Sequence, residues 1–269
     1  MSHFVTMPKE TTKAPRDIMD VVPPKLKTVV IGMLTPDNKI NARTVSCLLG
    51  LLAHSRGKYH FLIDSHRTSL IHHGRNVVMA DAVKAGYDYV LFVDSDMIFP
   101  ADMLDVLMSR QKGIVSALAF QKVKPFFPVM SRMIDVDDPK SPYMHICNWV
   151  DGALLDVDVV GAACLLVDLS EVAKISEPYF GTNDEVSGQQ VGEDYYFCAK
   201  MRRAGVKIWV DSSLKILHTG ECDFGLSDYI GEGGPLRIEG TPGVDPSRDY
   251  VTVTEYRKEL KESGESAVS

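Results

Sequence analysis

Apolar and polar positions change rhythm several times along the chain, and each change predicts an element. Residues 1–27 are polar and carry four prolines, two of them at Pro23 and Pro24, which predicts a loose arm. From Thr28 the pattern turns to a run rich in β-branched residues. Residues 28–34 (TVVIGML), ended by Thr35, Pro36 and Asp37, read as a buried strand and a turn. Residues 41–53 predict a helix and residues 59–63 (YHFLI) a second strand. Residues 69–85 predict a helix with Ile71, Val78, Ala82 and Ala85 on one face and Gly86 as its stop. Residues 89–93 (YVLFV) form a third strand, and Pro100 opens a helix in which Leu104, Leu107 and Met108 share a face.

Strand and helix thus alternate three times, the signature of parallel βαβ units. The expected fold class is α/β, with a mostly parallel central sheet flanked by helices. Neither G-x-G-x-x-G nor G-x-x-x-x-G-K-[ST] occurs, so the usual dinucleotide and P-loop signatures are missing. The second half is less regular. Residues 114–120 and 127–130 read as strands. The apolar run 157–167 is interrupted by Gly161, Ala162 and Ala163, where small residues admit a close approach to the backbone. Ser170 is expected to cap a short helix. Residues 193–204 predict a helix with Phe197, Met201 and Ala204 inside and Gly205 as its stop. Residues 207–210 and 214–217 read as strands. From Gly220 to Gly243 the chain holds seven glycines and two prolines, which predicts a mobile loop.

Composition narrows the class. With 269 residues, 45% hydrophobic and 24% charged, the chain can bury a sizeable core and is neither disordered nor a disulfide scaffold. The net charge of -7 counts against a general nucleic-acid coat, while leaving room for a local basic groove. Cys47, Cys147, Cys164, Cys198 and Cys222 are an odd number with no CxxC pair, so paired disulfides and a zinc ribbon are not expected. The first residues contain no apolar run, and no stretch is long enough to span a membrane. The expectation is a cytoplasmic protein without membrane association.

Four groups of residues carry candidate chemistry. D-x-D occurs three times, at Asp94/Asp96, Asp135/Asp137 and Asp156/Asp158. Only the first follows an apolar strand of the βαβ region, where open α/β sheets bind ligands. Two carboxylates there repel unless a cation joins them, and oxygen donors suit Mg²⁺ or Mn²⁺. The structural alternative is a solvated turn. Glu193 and Asp194 open a predicted helix. One acid suffices to complement the helix dipole, leaving the second available as a general base. His218 follows a strand, and its imidazole on the same metal as Asp96 favours Mn²⁺. Finally, five of the eight histidines, with Arg56, Lys58, Arg67 and Arg75, lie between His54 and Arg75, beside a single acid, Asp64. That cluster reads either as a solvated face or as an anion site for phosphate or a nucleic-acid backbone.

In this order, the segments TVVIGMLTP, GRNVVMADAVKAGYDYVLFVDSDMIFPADML, VVGAACLLV and VGEDYYFCAKMRRAGVKIWVDSSLKILHTG resemble the GT-A nucleotide-sugar glycosyltransferases. The likeness is to the family-2-like group, and within it to short sequences of phages and environmental bacteria. The resemblance spans roughly residues 28–220. It implies a GT-A domain there, a polar arm at 1–27, and a glycine-rich lid and tail at 221–269. It implies that Asp94 and Asp96 are the DxD acids, with Ser95 between them, and that Asp94, Asp96 and His218 hold Mn²⁺ (or Mg²⁺). Thr35, Pro36 and Asp64 match the base-binding positions, and Arg75 matches an arginine near the diphosphate. Glu193 and Asp194 match the acceptor-side pair, with Asp194 as the base. An inverting outcome is favoured over a retaining one. The implied activity moves a hexose or pentose from a nucleotide sugar to an acceptor hydroxyl. The acceptor stays open between a glycan, a small molecule, a protein and a hydroxylated nucleic-acid base, and a phage origin would place the enzyme in the host cytoplasm. The chain departs from the pattern in lacking the asparagine of P-x-x-N after the first strand, and in continuing Met97-Ile98-Phe99-Pro100 after the triplet. A nucleotidyltransferase acting on sugar phosphates and a non-catalytic nucleotide- or sugar-binding module are the competing readings.

Overall fold

A computed structural model describes residues 25–36, 38–133, 143–185 and 188–220, together with the backbone of 223–224 and 250–251. Most of the expected arm, lid and tail, as well as Asp135, Asp137 and Cys222, lies outside the described residues. In chain order the elements are β1 (Lys27–Leu34), α1 (Ala42–His54), β2 (Tyr59–His66), α2 (Ile71–Ala85), β3 (Tyr89–Val93), β4 (Met97–Ile98), α3 (Met103–Ser109), β5 (Ile114–Ala117), β6 (Met130–Met133) and β7 (Tyr143–Ile146). They continue with β8 (Leu154–Val157), β9 (Val159–Val160), β10 (Cys164–Asp168), α4 (Leu169–Val172), α5 (Glu193–Arg203), β11 (Ile208–Asp211), β12 (Leu217–Thr219), β13 (Asp223–Phe224) and β14 (Tyr250–Val251).

The central sheet has the order β2-β1-β3-β10-β5-β11-β8. Strands β2, β1 and β3 are mutually parallel, and β5 and β11 are parallel to each other. β10 runs antiparallel between β3 and β5, and β8 runs antiparallel to β11 at the edge. Five of the seven strands therefore point one way, so the sheet is mostly parallel as expected. The inserted β10 departs from the expected pattern. It arises where the apolar run 157–167 breaks, with β8 ending at Val157, β9 pairing with β6 outside the central sheet, and β10 starting at Cys164 after Gly161, Ala162 and Ala163. That small-residue link is tied to the third strand by Asp94 N–H donating to the Ala163 carbonyl at 3.0 Å.

Alternation along the strands builds two cores, one on each side of the sheet. Val29, Ile31 and Met33 pack with Leu48 and Leu51 of α1 and Met103, Leu104 and Leu107 of α3. Val30, Val90 and Phe92 pack with Val78, Met79 and Ala82 of α2 and Phe197 and Met201 of α5. At Gly74 a Cβ would stand 2.6 Å from Thr68 Cγ2 and 2.7 Å from a Leu34 methyl, so only glycine lets the start of α2 close over the end of β1.

Several expected boundaries move. The short helix after β10 is capped by Asp168, whose Oδ1 accepts from Ser170 N–H at 2.9 Å, so Ser170 lies inside the helix. An aspartate at the end of a strand reaches the free amide just as a serine would, and it comes first. The turn at Pro100 leads into a helix that begins only at Met103. The strand expected at 214–217 is displaced to Leu217–Thr219, because its partner is the two-residue β4 immediately after the D-S-D triplet. The stops at Gly86 and Gly205 hold, both with left-handed backbone (φ 74° and 79°). Among the described residues, no helix is long and apolar enough to cross a membrane.

Candidate active site

The C-terminal edge of β3 delivers Asp94, Ser95 and Asp96 to one place, and three other elements converge on it. From α2 comes Arg75, whose side chain is only 4% exposed although it carries a charge. Such burial demands partners. Arg75 Nη2 donates to Asp94 Oδ1 at 3.0 Å and Nη1 donates to Glu193 Oε1 at 2.6 Å. Its guanidinium carbon lies 5.8 Å from the Phe92 ring centre and 6.0 Å from that of Phe180, so aromatic faces supply the rest of its surroundings. The Phe180 segment is fixed by Asn76. Its carboxamide oxygen accepts from Tyr179 and Phe180 N–H, and its nitrogen donates to the Phe180 carbonyl at 2.7 Å. One buried cation thus joins the D-S-D strand end to the first turn of α5.

Beside Glu193, Asp194 lies against two glycines. A Cβ at Gly192 would stand 2.8 Å from Asp194 Oδ1, and one at Gly161 would stand 3.6 Å from Oδ2. The small residues at 161 and 192 therefore leave room for this carboxyl. Its pKa is pushed up to about 6. Desolvation is the main cause, Glu193 and Asp94 add repulsion, and Arg75 and the Tyr195 N–H partly offset it. A carboxylate that takes up a proton near neutral pH has the property a general base needs.

On the other side of the triplet, β12 pairs with β4 so that His218 stands opposite Met97, and Thr219 N–H donates to the Asp96 carbonyl at 2.8 Å. That register brings His218 Nε2 to 3.2 Å from Asp96 Oδ1. His218 Nδ1 is 3.0 Å from the Phe120 carbonyl. A carbonyl can only accept, so Nδ1 carries hydrogen, and in the neutral ring Nε2 turns its lone pair toward the carboxylate. Only a proton or a cation reconciles two acceptors so placed. A backbone carbonyl behind the far ring nitrogen is also the usual support of a metal-binding imidazole. Asp96 and His218 thus offer two converging donors for a cation, although among the described residues no group of three His, Cys, Asp or Glu side chains is arranged to hold a metal ion. Asp96 Oδ2, in turn, is contacted by Lys122 Nζ. Burial works against ionisation of Asp96, but its contacts with His218 and Lys122 prevail and hold its pKa below the usual carboxylate value. Asn41 completes the wall, with its N–H on the Ser95 carbonyl at 2.9 Å and its side-chain nitrogen 3.3 Å from Thr219 Oγ1.

Asp94, Asp96, Arg75, Glu193, Asp194 and His218 are thus linked at the C-terminal end of β3. Thr35, Pro36 and Asp64 stand apart, at the ends of β1 and β2. Thr35 is buried and its N–H donates to the His66 carbonyl at 2.9 Å, while Pro36 is exposed. Asp64 Oδ1 lies 2.9 Å from His66 Nε2. The basic cluster does not form a single anion site. β2 runs through the middle of it and separates its members to opposite ends of the sheet. His54 and Lys58 pair with Asp105 at one end, His66 and Arg67 lie at the other, and Arg75 turns inward. Of the other D-x-D triplets, Asp156 and Asp158 are bound by Arg202 at 3.2 and 2.6 Å. Lys122 and Asn41 carry no signal in the sequence that would mark them for this cleft. Lys122 sits in a loop without periodicity, and Asn41 reads only as the first residue of a predicted helix, which it caps by accepting from Arg43 N–H.

No family model and no curated protein matches the chain. Among solved structures, A197 from STIV matches with a TM-score of 0.51 at 15% identity, over 82% of this chain and 98% of that one. The mannose-1-phosphate geranyltransferase of Thermus thermophilus matches with a TM-score of 0.39 at 12% identity, over 71% and 76%. UDP-glucose pyrophosphorylase complexed with UDP-glucose matches with a TM-score of 0.38 at 9% identity, over 77% and 79%. At these identities the likeness to A197 is one of fold.

Proposed function

We propose that this chain is a metal-dependent glycosyltransferase of the GT-A kind, moving a sugar from a nucleotide-sugar donor to an acceptor hydroxyl. The observation that carries the reading is the Arg75 bridge. It joins the D-S-D strand end to Glu193, the sequence neighbour of Asp194 with its pKa of about 6, while Asp96 of the same triplet stands 3.2 Å from His218. Among the described residues, four carboxylates (Asp94, Asp96, Glu193, Asp194) face two permanent cations (Arg75, Lys122), and that excess of negative charge suits a divalent ion.

Asp96 and His218 would hold Mn²⁺ (or Mg²⁺), with Asp94 beside them. When bound, the ion neutralises a diphosphate and makes it a better leaving group. The protein's own groups do the rest. Asp194 takes the proton from the acceptor hydroxyl as it attacks the anomeric carbon. The donor's carbon–oxygen bond breaks, and the electron pair leaves with the nucleoside diphosphate. A direct attack of this kind inverts the anomeric centre. Arg75 pairs with both Asp94 and Glu193 and so holds α5 in register with β3. Thr35, Pro36 and Asp64, at the neighbouring strand ends, are assigned to the nucleotide base. The acceptor class spans glycans, small molecules and hydroxylated nucleic-acid bases.

The test is a product analysis with a panel of nucleotide sugars and Mn²⁺. The reading expects release of a nucleoside diphosphate with transfer or slow hydrolysis of the sugar. Pyrophosphate release from a nucleoside triphosphate and a sugar phosphate would instead assign a nucleotidyltransferase.

A further inference from the structure

Lys122 belongs to no expected site, yet it contacts the carboxylate at the centre of the cleft. It sits on the connection between β5 and β6, two residues beyond Phe120, whose carbonyl orients His218. The loop that carries it is closed by Gln121 N–H donating to the Phe127 carbonyl at 2.9 Å and Phe126 N–H donating to the Val123 carbonyl at 2.8 Å. One short segment therefore addresses both partners of the Asp96–His218 pair. Phe120 reaches the imidazole through its backbone, and Lys122 reaches the carboxylate through its ammonium.

The two oxygens of Asp96 are then unequally committed. Oδ1 faces the imidazole, and Oδ2 faces Lys122. A divalent ion held between Asp96 Oδ1 and His218 Nε2 would stand across one carboxylate from the Lys122 ammonium on Oδ2, and two cations that close repel. Lys122 is free to leave. Its side chain is 36% exposed, that of Asp96 is 31% exposed, and a lysine stem is flexible. Arg75, by contrast, is 4% exposed and fixed by two carboxylates.

Building on the cation reading given above, we propose that Lys122 is an exchangeable counter-ion. It occupies Asp96 in the free enzyme, is displaced when a divalent cation binds, and then turns its ammonium to the diphosphate of the donor. Lys122 therefore opposes the cation when it binds alone and favours the anion that follows it. Cation and donor become coupled through one side chain, and the cleft stays charge-compensated before and after loading.

The experiment measures two ligands on the full-length chain: Mn²⁺ alone, by the paramagnetic resonance of the free ion, and inorganic pyrophosphate at saturating Mn²⁺, by calorimetry. The proteins are wild type, Lys122→Gln, Lys122→Arg and Asp96→Asn. Lys122→Gln is expected to bind Mn²⁺ about tenfold more tightly than wild type and pyrophosphate about tenfold more weakly. Lys122→Arg should follow wild type on both. A merely structural role would not strengthen one ligand while weakening the other. If wild type binds Mn²⁺ through Asp96 but Lys122→Gln fails to show either change, the exchange is refuted and the cation site stands. If Asp96→Asn binds Mn²⁺ as wild type does, the cation site and the exchange are refuted together.

Discussion

Arg75 and Lys122 both bind acids of the same triplet, Asp94 and Asp96, yet they lie in contrasting surroundings. Arg75 is sunk between Phe92 and Phe180, joins α2 to both β3 and α5, and is withheld from water. Lys122 rides a surface loop and meets a carboxylate that solvent can reach. The first arrangement is suited to holding a scaffold, since breaking a buried pair leaves a charge uncompensated. The second is suited to exchange, since a half-exposed pair contributes little to stability. The proposed function, with a rigid setting for Asp194 and room for ions at Asp96, calls for both kinds of contact.

Substitutions separate the two sides, and the largest effect is expected at Asp194, the proposed base. Asp194→Asn should lower the transfer rate by about 10²–10⁴, read from initial rates at saturating donor. The same change should raise stability at pH 7. The folded carboxyl has a pKa of about 6, above its ordinary value of 3.8, so between those values the folded state holds the extra proton. Stability therefore falls as pH rises from about 4 to about 6, and the cost persists above that range. Removing the charge should return roughly 1–3 kcal/mol, measured by urea unfolding at pH 5 and pH 7. On the proposed role of Asp194 as the base, kcat in wild type should rise through pH 6 to a plateau, because a carboxyl accepts a proton only when ionised.

Arg75→Met comes next. It strands Asp94 and Glu193 without their shared cation and should cost about 3–5 kcal/mol in the same unfolding experiment. Asp96→Asn should abolish the response to Mn²⁺ while changing unfolding far less than Arg75→Met does. The smallest effect is that of Lys122→Gln on stability, below about 1 kcal/mol. A loss as large as that of Arg75→Met would erase the contrast between the two sides.

The sequence makes one side of this cleft more readable than the other. Strands β1 to β3 and helices α1 and α2 follow from apolar runs and from stops such as Gly86, and the D-S-D triplet stands out because it ends an apolar strand. Glu193 and Asp194 are visible as acids opening a helix. The insertion of β10 between β3 and β5 is not visible, because an apolar run carries no signal of its pairing direction. Nor does the division of the basic cluster show, since residues close in sequence separate by about 23 Å along a strand of eight residues. His218 reads as a lone histidine until β12 is seen to pair with β4. Lys122 gives no local sign at all, because its role depends on a contact with Asp96 twenty-six residues away.

Thermal unfolding with a panel of nucleotide sugars tests the central claim most directly, using wild type and Asp96→Asn with and without Mn²⁺. At a hundredfold excess over its Kd, a ligand selective for the folded state should raise the midpoint by about 5–10 °C. The account predicts such a shift for at least one nucleotide sugar in wild type with Mn²⁺, and its loss when either Mn²⁺ or the Asp96 carboxylate is removed. No shift with any nucleotide sugar, or an equal shift in Asp96→Asn without the metal, would contradict it.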